Sequence, residues 1–203
     1  MRNKIIQKST DLFLKLGFKS VTMDDIANEM AISKKTIYTH FKNKTALVKE
    51  CTRNVLHNIT TGIDEICSLE QNPIEELFEI KKFVMGTIEA EQSSPQYQLQ
   101  KYYPEIFEGI KESHFEKMME CTRKNLRRGI DQGLYRSNLD IDFISRLYFL
   151  GIHGIKDQNL FPLEKFSTQF LTEEYLEFHV RGIVTPEGFL TLNKFIKEHQ
   201  TND

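Results

Sequence analysis

The side chains best suited to surface chemistry lie within one short segment. Lys35, Thr36, Tyr38 and Thr39 share one arc of a helix read over Lys34 to His40, since successive helical residues turn by about 100°. That arc carries a cation, two hydroxyls and a phenol. Such groups hydrogen-bond readily to base edges and phosphate oxygens and gain little from a protein core. Ile37 and Phe41 fall on the other side and form the seam that must be buried. Ser33 offers an N-cap whose hydroxyl can meet the free amides near Lys35 and Thr36. His40 ends the helix, where its ring can donate to a phosphate. Lys44 stands in the first turn of the next helix against the dipole's preference for anions, a small cost that suits a phosphate neighbour.

Other chemistries have no constellation behind them. The sequence contains no GxSxG, HExxH, GxxxxGK[ST] or GxGxxG. Its histidines (His40, His57, His114, His153, His179 and His199) include no pair at i,i+3 or i,i+4, so no helix offers a two-histidine metal face. His153 and His179 read as satisfied or surface residues of the terminal helices. No enzyme, metal or cofactor is expected. Cys51, Cys67 and Cys121 are odd in number, widely spaced and without a CxxC pair, the usage of a reduced cytoplasmic protein. No apolar run reaches the ~18 residues of a membrane span, and the N-terminus lacks a signal-peptide core.

The elements that must position the Lys35–Thr39 arc are legible on both sides. Thr22 caps a short helix, with Asp25 three residues on as the partner in a capping box. Ile26 and Met30 give that helix an apolar face, and Ala27 allows a close neighbour. Met30-Ala31-Ile32 is the turn, and a positive φ at Ala31 costs on the order of 1 kcal/mol. Arg2 to Leu16 forms a preceding helix with Ile5, Ile6, Leu12 and Phe13 at helical spacing and Gly17 at its C-cap. Asn43 caps the helix that follows. Charge marks the same region. Residues 1–50 hold ten Lys/Arg against five acids within a chain of net charge −2, and no acid occurs from Ser33 to Lys49. A basic end on an acidic body is the footprint of a module that docks on a polyanion.

Thr22, Ile26-Ala27, Ile32-Ser33 and Thr36-Ile37-Tyr38-Thr39-His40-Phe41, followed by Lys44, resemble the N-terminal DNA-binding signature of TetR-type transcriptional regulators. Two positions depart from it. Ala31 stands where the family usually has the turn glycine, and Lys35 where a second glycine is common; the latter adds charge on the DNA-facing side. The resemblance implies an all-α chain with a helix-turn-helix domain over residues 1–47 and a larger helical effector-binding and dimerisation domain over 48–203. The DNA-facing set it implies is Thr22, Ser33, Lys34, Lys35, Thr36, Tyr38, Thr39, His40 and Lys44. Of these, Lys35, Thr36, Tyr38 and Thr39 face the groove, and Thr22, His40 and Lys44 hold phosphates.

Downstream the spacing predicts a helix from Lys44 to about Leu69, long enough to join two bodies. Asn72-Pro73 opens a helix to about Glu91, which Gln92-Ser93-Ser94-Pro95 breaks. A short helix over Tyr97 to Tyr103 follows, then a long one from Pro104 to Gln132. Residues 141–155 are apolar almost all round, the mark of a helix buried on more than one side. A loop over Asp157 to Lys165, a helix from Thr172 to Gly182 and a last helix opening at Thr185-Pro186 complete the chain. Gly133-Leu134-Tyr135-Arg136 and Arg181 to Gly188 are similar to phrases of TetR-type C-terminal domains.

The resemblance also implies an effector pocket among the middle helices. The candidates are Phe83, Tyr97, Tyr102, Phe107, Phe115, Met118 and Met119, with Glu89, Arg123 and Arg146 as polar anchors, for a small apolar or aromatic molecule. It further implies a homodimer through residues near 141–155 and 172–183, which sets two recognition helices about 34 Å apart on an operator. Two other readings stay open: an oxidant sensor working through Cys51, Cys67 or Cys121, and a helical small-molecule-binding protein without DNA binding.

Overall fold

A computed structural model of the chain describes residues 1–88 and 95–200. Among them are ten helices and no strand, as the all-α reading requires: α1 (Arg2–Leu16), α2 (Met23–Glu29), α3 (Lys34–Tyr38), α4 (Lys44–Ser68), α5 (Pro73–Ile88), α6 (Pro95–Tyr102), α7 (Pro104–Asp131), α8 (Ile141–Gly154), α9 (Thr168–Ile183) and α10 (Pro186–Gln200). The expected helix end near Glu91, the break at Gln92-Ser93-Ser94 and the candidate anchor Glu89 lie outside the described residues. The helix expected from Thr172 starts earlier, because Ser167 caps it by accepting from the Phe170 amide at 3.1 Å. The recognition helix is shorter than the Lys34–His40 span, at five residues.

The chain forms two compact units, residues 1–62 with 86–114 and residues 63–85 with 115–203. This division cuts the chain differently from a boundary at residue 47. In the first unit, α1 to α4 close over Ile5, Phe13, Ile26, Ile37, Phe41 and Leu47, all nearly inaccessible to solvent. Leu99 of α6 joins that core, with Tyr103, Ile106 and Phe107 packed against it. Gly17 ends α1 at φ 89°, and its amide donates to the Phe13 carbonyl at 2.9 Å. The Gln98 side chain sits where a Cβ on Gly17 would be, and its Oε1 accepts from the Lys19 amide at 3.1 Å. The left-handed φ is what calls for glycine there.

The second unit is organised around Ile74, Leu126, Tyr135, Leu176, Val180 and Leu192. Within it Glu76 of α5 is 2 % exposed and forms an ion pair with Arg128 of α7. Asn125 donates to Glu76 Oε1 and to the Pro73 carbonyl, both at 2.8 Å, and accepts from the Tyr135 hydroxyl at 3.1 Å. A buried carboxylate is tolerable only when paired and hydrogen-bonded in this way. The phrases at 133–136 and 181–188 meet in space. The Arg136 amide donates to the Ile183 carbonyl and the Thr185 amide to the Leu134 carbonyl, each at 2.9 Å. Gly188 lies so close to the Leu134 carbonyl that an added Cβ would come within 2.1 Å of its oxygen.

His179 of α9 is buried between the rings of Tyr148, at 4.6 Å, and Tyr175, at 6.2 Å. Burial lowers its pKa from 6.5 to about 4. The unfolded chain then takes up a proton at this residue before the folded one does. The associated stability is complete above pH 6.5 and is lost as pH falls towards 4, to a total of about 3 kcal/mol. Urea unfolding at pH 7 and pH 4 should show a smaller loss for His179→Gln than for the wild type; equal losses would contradict a neutral buried imidazole.

Candidate nucleic-acid interface

The geometry of the recognition segment follows from its caps. Thr22 and Asp25 form the full reciprocal box: the Asp25 amide donates to Thr22 Oγ1 at 3.1 Å and the Thr22 amide to Asp25 Oδ2 at 2.8 Å. These hydrogen bonds hold the Asp25 carboxyl below the usual carboxylate range. Ala31 takes φ 52° in the turn, the left-handed position that the sequence asks of it. Ser33 Oγ then accepts from the Thr36 amide at 3.0 Å and starts α3. Asn43 Oδ1 accepts from the Ala46 amide at 2.8 Å at the start of α4.

With Ile37 at zero exposure and Phe41 at 3 %, the opposite arc of α3 has one direction left to face. Lys35, Tyr38, Thr39 and His40 are exposed, Tyr38 by 45 % despite its large ring. The Tyr38 hydroxyl and part of its ring are open to solvent on the side away from Ile37.

Several of the predicted residues also carry structural duties. Thr22 and Ser33 hold their helix starts, and Ser33 Oγ lies 2.8 Å from the half-buried Thr36 hydroxyl. The Thr39 hydroxyl donates to the Thr36 carbonyl at 2.7 Å. Lys34 pairs with Asp24 at 2.7 Å, a hydrogen bond that raises its pKa. Lys44 is half-buried. Its Nζ donates to the Lys19 carbonyl at 3.2 Å and lies 5.8 Å from the Phe13 ring centroid, and burial lowers its pKa. The sequence signal for Lys44, a cation in a first helical turn, did not reveal this inward anchoring.

The effector candidates divide between the units. Tyr97, Tyr102 and Phe107 belong to the first, where Lys101 Nζ lies 5.5 Å from the Tyr97 ring and Lys19 Nζ 5.0 Å from that of Tyr102. Phe83, Phe115, Met118 and Met119 belong to the second. There Phe115 meets Phe149 edge-on at 4.9 Å, and Met119 is buried. The proposed anchors Arg123 and Arg146 both pair with Asp142. A recess of about 230 Å³ in the first unit is lined by Gln7, Thr10, Asp11, Asn54 and Asn58 among others. Leu14 and Val55 line it as well, so its surface is mixed, and none of the effector candidates lies on it.

Three helices around one core, α1 to α3, the last presenting an exposed cationic and hydroxylic arc, define a helix-turn-helix DNA-binding module. The comparisons with known proteins agree. Residues 5–51 match the family model for bacterial regulatory proteins of the tetR family. Over 197 residues, 92 % of each chain, the sequence is 23 % identical to the HTH-type transcriptional repressor KstR2 of Mycolicibacterium smegmatis. A TetR-family transcriptional regulator from Agrobacterium tumefaciens superposes with a TM-score of 0.71 over 91 % of this chain and 97 % of that one, at 20 % identity. The structure of KstR2 from Mycobacterium tuberculosis superposes at 0.56, over 91 % and 95 %, at 21 % identity. The N-terminal segment is thus a DNA-binding domain of the tetR kind, and the chain as a whole has the fold of TetR-type transcriptional regulators.

The turn gives a direct check on this geometry. Ala31→Gly should raise stability by about 0.5–1 kcal/mol by relieving the left-handed strain, net of the glycine's extra freedom in the unfolded chain. Thermal denaturation measures it, and a lower melting temperature would contradict the strained turn.

Proposed function

We propose that this chain is a homodimeric repressor that reads an operator through Lys35, Thr36, Tyr38 and Thr39 and is tuned by a small apolar or aromatic effector. The observation that carries the DNA reading is the outward arc of α3, fixed by complete burial of Ile37 beneath it. Thr22, Ser33, Lys34, His40 and Lys44 flank that arc as phosphate contacts. Thr22 and Ser33 stand at helix starts, where free amides favour an anion. Lys44 would reach a phosphate by leaving the Lys19 carbonyl. Among the described residues no helix is long and apolar enough to cross a membrane, in keeping with action on DNA in the cytoplasm.

Repression is favoured by the similarity to KstR2, which is named a transcriptional repressor. The effector is assigned to the second unit, where Phe83, Phe115, Met118 and Met119 supply adaptable apolar surface. It acts only as far as its affinities for the DNA-competent and DNA-incompetent states differ. Residues 141–155 and 172–183 are assigned to the dimer contact. On α8 the exposed side chains of Phe143, Leu147 and Leu150 recur at helical spacing, and on α9 Phe178 is 76 % exposed. Apolar groups in such a row are costly to leave in water and suit an isologous contact with a second copy.

Two outcomes follow. Tyr38→Ala should weaken binding to an operator selected from random duplexes at least tenfold, about 1.4 kcal/mol or more, with an unchanged circular dichroism spectrum; an unchanged gel-shift affinity removes Tyr38 from the interface. Leu150→Glu should convert the dimer to monomer in analytical ultracentrifugation, and a dimer of wild-type stability would place the contact elsewhere.

A further inference from the structure

Cys67 and Cys121 stand 54 positions apart in the sequence yet occupy facing sides of α4 and α7 within the second unit. Asp64 and Cys67 share one face of α4, three residues apart, and Lys117 and Cys121 share one face of α7, four apart. The first members of the two pairs are joined, Lys117 to Asp64, by an ion pair. About one turn further along each axis, rises of about 4.5 and 6 Å, the register set by that ion pair brings Cys67 and Cys121 side by side, close enough for the thiols to influence each other. Both cysteines are free and half-buried, within reach of a small oxidant.

We propose that Cys67 and Cys121 form a redox-active dithiol that closes to a disulfide on exposure to peroxide, with Cys121 the attacking thiolate and Cys67 the resolving thiol. This assignment does not rest on the DNA or effector reading. The surroundings set the roles. The neighbouring Cys67 thiol lowers the Cys121 pKa against the opposing effect of burial, and the Lys117 cation lowers it further, offset in part by Asp64 and Glu120. The same contact, burial and the Glu76 carboxylate raise that of Cys67. A thiolate beside a cation is the nucleophile, and its protonated neighbour waits.

The chemistry balances with hydrogen peroxide as oxidant. The Cys121 thiolate attacks one peroxide oxygen, the O–O bond breaks, and the leaving hydroxide takes a proton to become water, which leaves a sulfenic acid. The Cys67 sulfur then attacks the Cys121 sulfur. Its thiol proton goes to the departing hydroxyl, a second water leaves and the S–S bond forms. The two cysteines together give up two electrons, and the peroxide accepts them. Cys51 takes no part. It is 1 % exposed in the first core, its Sγ donates to the Ile6 carbonyl at 3.5 Å, and burial pushes its thiol up to about 12.

The test is peptide mapping by mass spectrometry of the whole protein after brief exposure to hydrogen peroxide and alkylation. The expected result is one linkage within each chain, between the peptides that hold Cys67 and Cys121, reversed by a dithiol reductant. Cys67→Ser should accumulate a dimedone-reactive sulfenic acid at Cys121, whereas Cys121→Ser should leave Cys67 unmodified over the same exposure. Lys117→Met should slow the linkage roughly threefold to tenfold, and Lys117→Arg should restore it. A linkage through Cys51, a linkage between chains, or equal oxidation of the two serine variants would overturn the proposal.

Discussion

The burial of Ile37 and Phe41 is the constraint on which the reading head depends. A five-residue helix has too little hydrogen bonding to persist alone, so α3 exists because its seam completes the core that Phe13, Ile26 and Leu47 begin. That packing fixes the rotation of α3 about its own axis. Once the rotation is fixed, Tyr38 and Lys35 have no inward choice. The caps at Thr22, Ser33 and Asn43 complete the work by setting where each helix starts. Specificity of orientation thus comes from apolar burial, and the polar arc is its consequence.

The second unit solves a different problem with the same means. Its apolar core encloses one charged cluster, Glu76 with Arg128, Asn125 and Tyr135, which carries little net stability once desolvation is counted. The cluster instead ties the start of α5 to α7 and to the turn after α7, since each polar group is satisfied only when all three are in place. The close approach of Gly188 to Leu134 and the crossed backbone hydrogen bonds at Arg136 and Thr185 fasten α10 to the same turn. Two sequence phrases that look unrelated are one structural joint.

The dual duties at the interface bear on how such a head meets DNA. Thr39 and Thr36 use their hydroxyls locally, and Lys44 is folded onto Lys19 and Phe13. Exchanging a local hydrogen bond for one to a phosphate or base keeps the polar group satisfied in both states, so the net cost is small. Lys35, Tyr38 and His40 present their polar ends on the exposed side of the helix, and Tyr38 carries the largest apolar surface among them. In the proposed operator reading these side chains carry the readout, and the capping residues keep amides and helix starts in register.

Local rules were enough for much of this. The capping box at Thr22, the cap at Ser33, the positive φ at Ala31 and the split of α3 into a buried seam and an open arc are short-range consequences of residue type and helical period, and each stands in the structure as the sequence dictates. The all-α class follows from the same periodicity. What periodicity does not contain is which faces meet. It gives Tyr97 and Tyr102 the same apolar character as Phe115 and Met118, although packing puts the first pair in one unit and the second in the other. It reads Cys67 and Cys121 as isolated thiols, Arg123 and Arg146 as open anchors, and Lys44 as a free cation. Sequence alone determined the helices and the outward chemistry of one of them, because those depend on neighbours three or four residues away. Tertiary structure alone decided the partners, because a contact between α4 and α7 depends on how whole helices exclude water together, and no spacing along the chain encodes that.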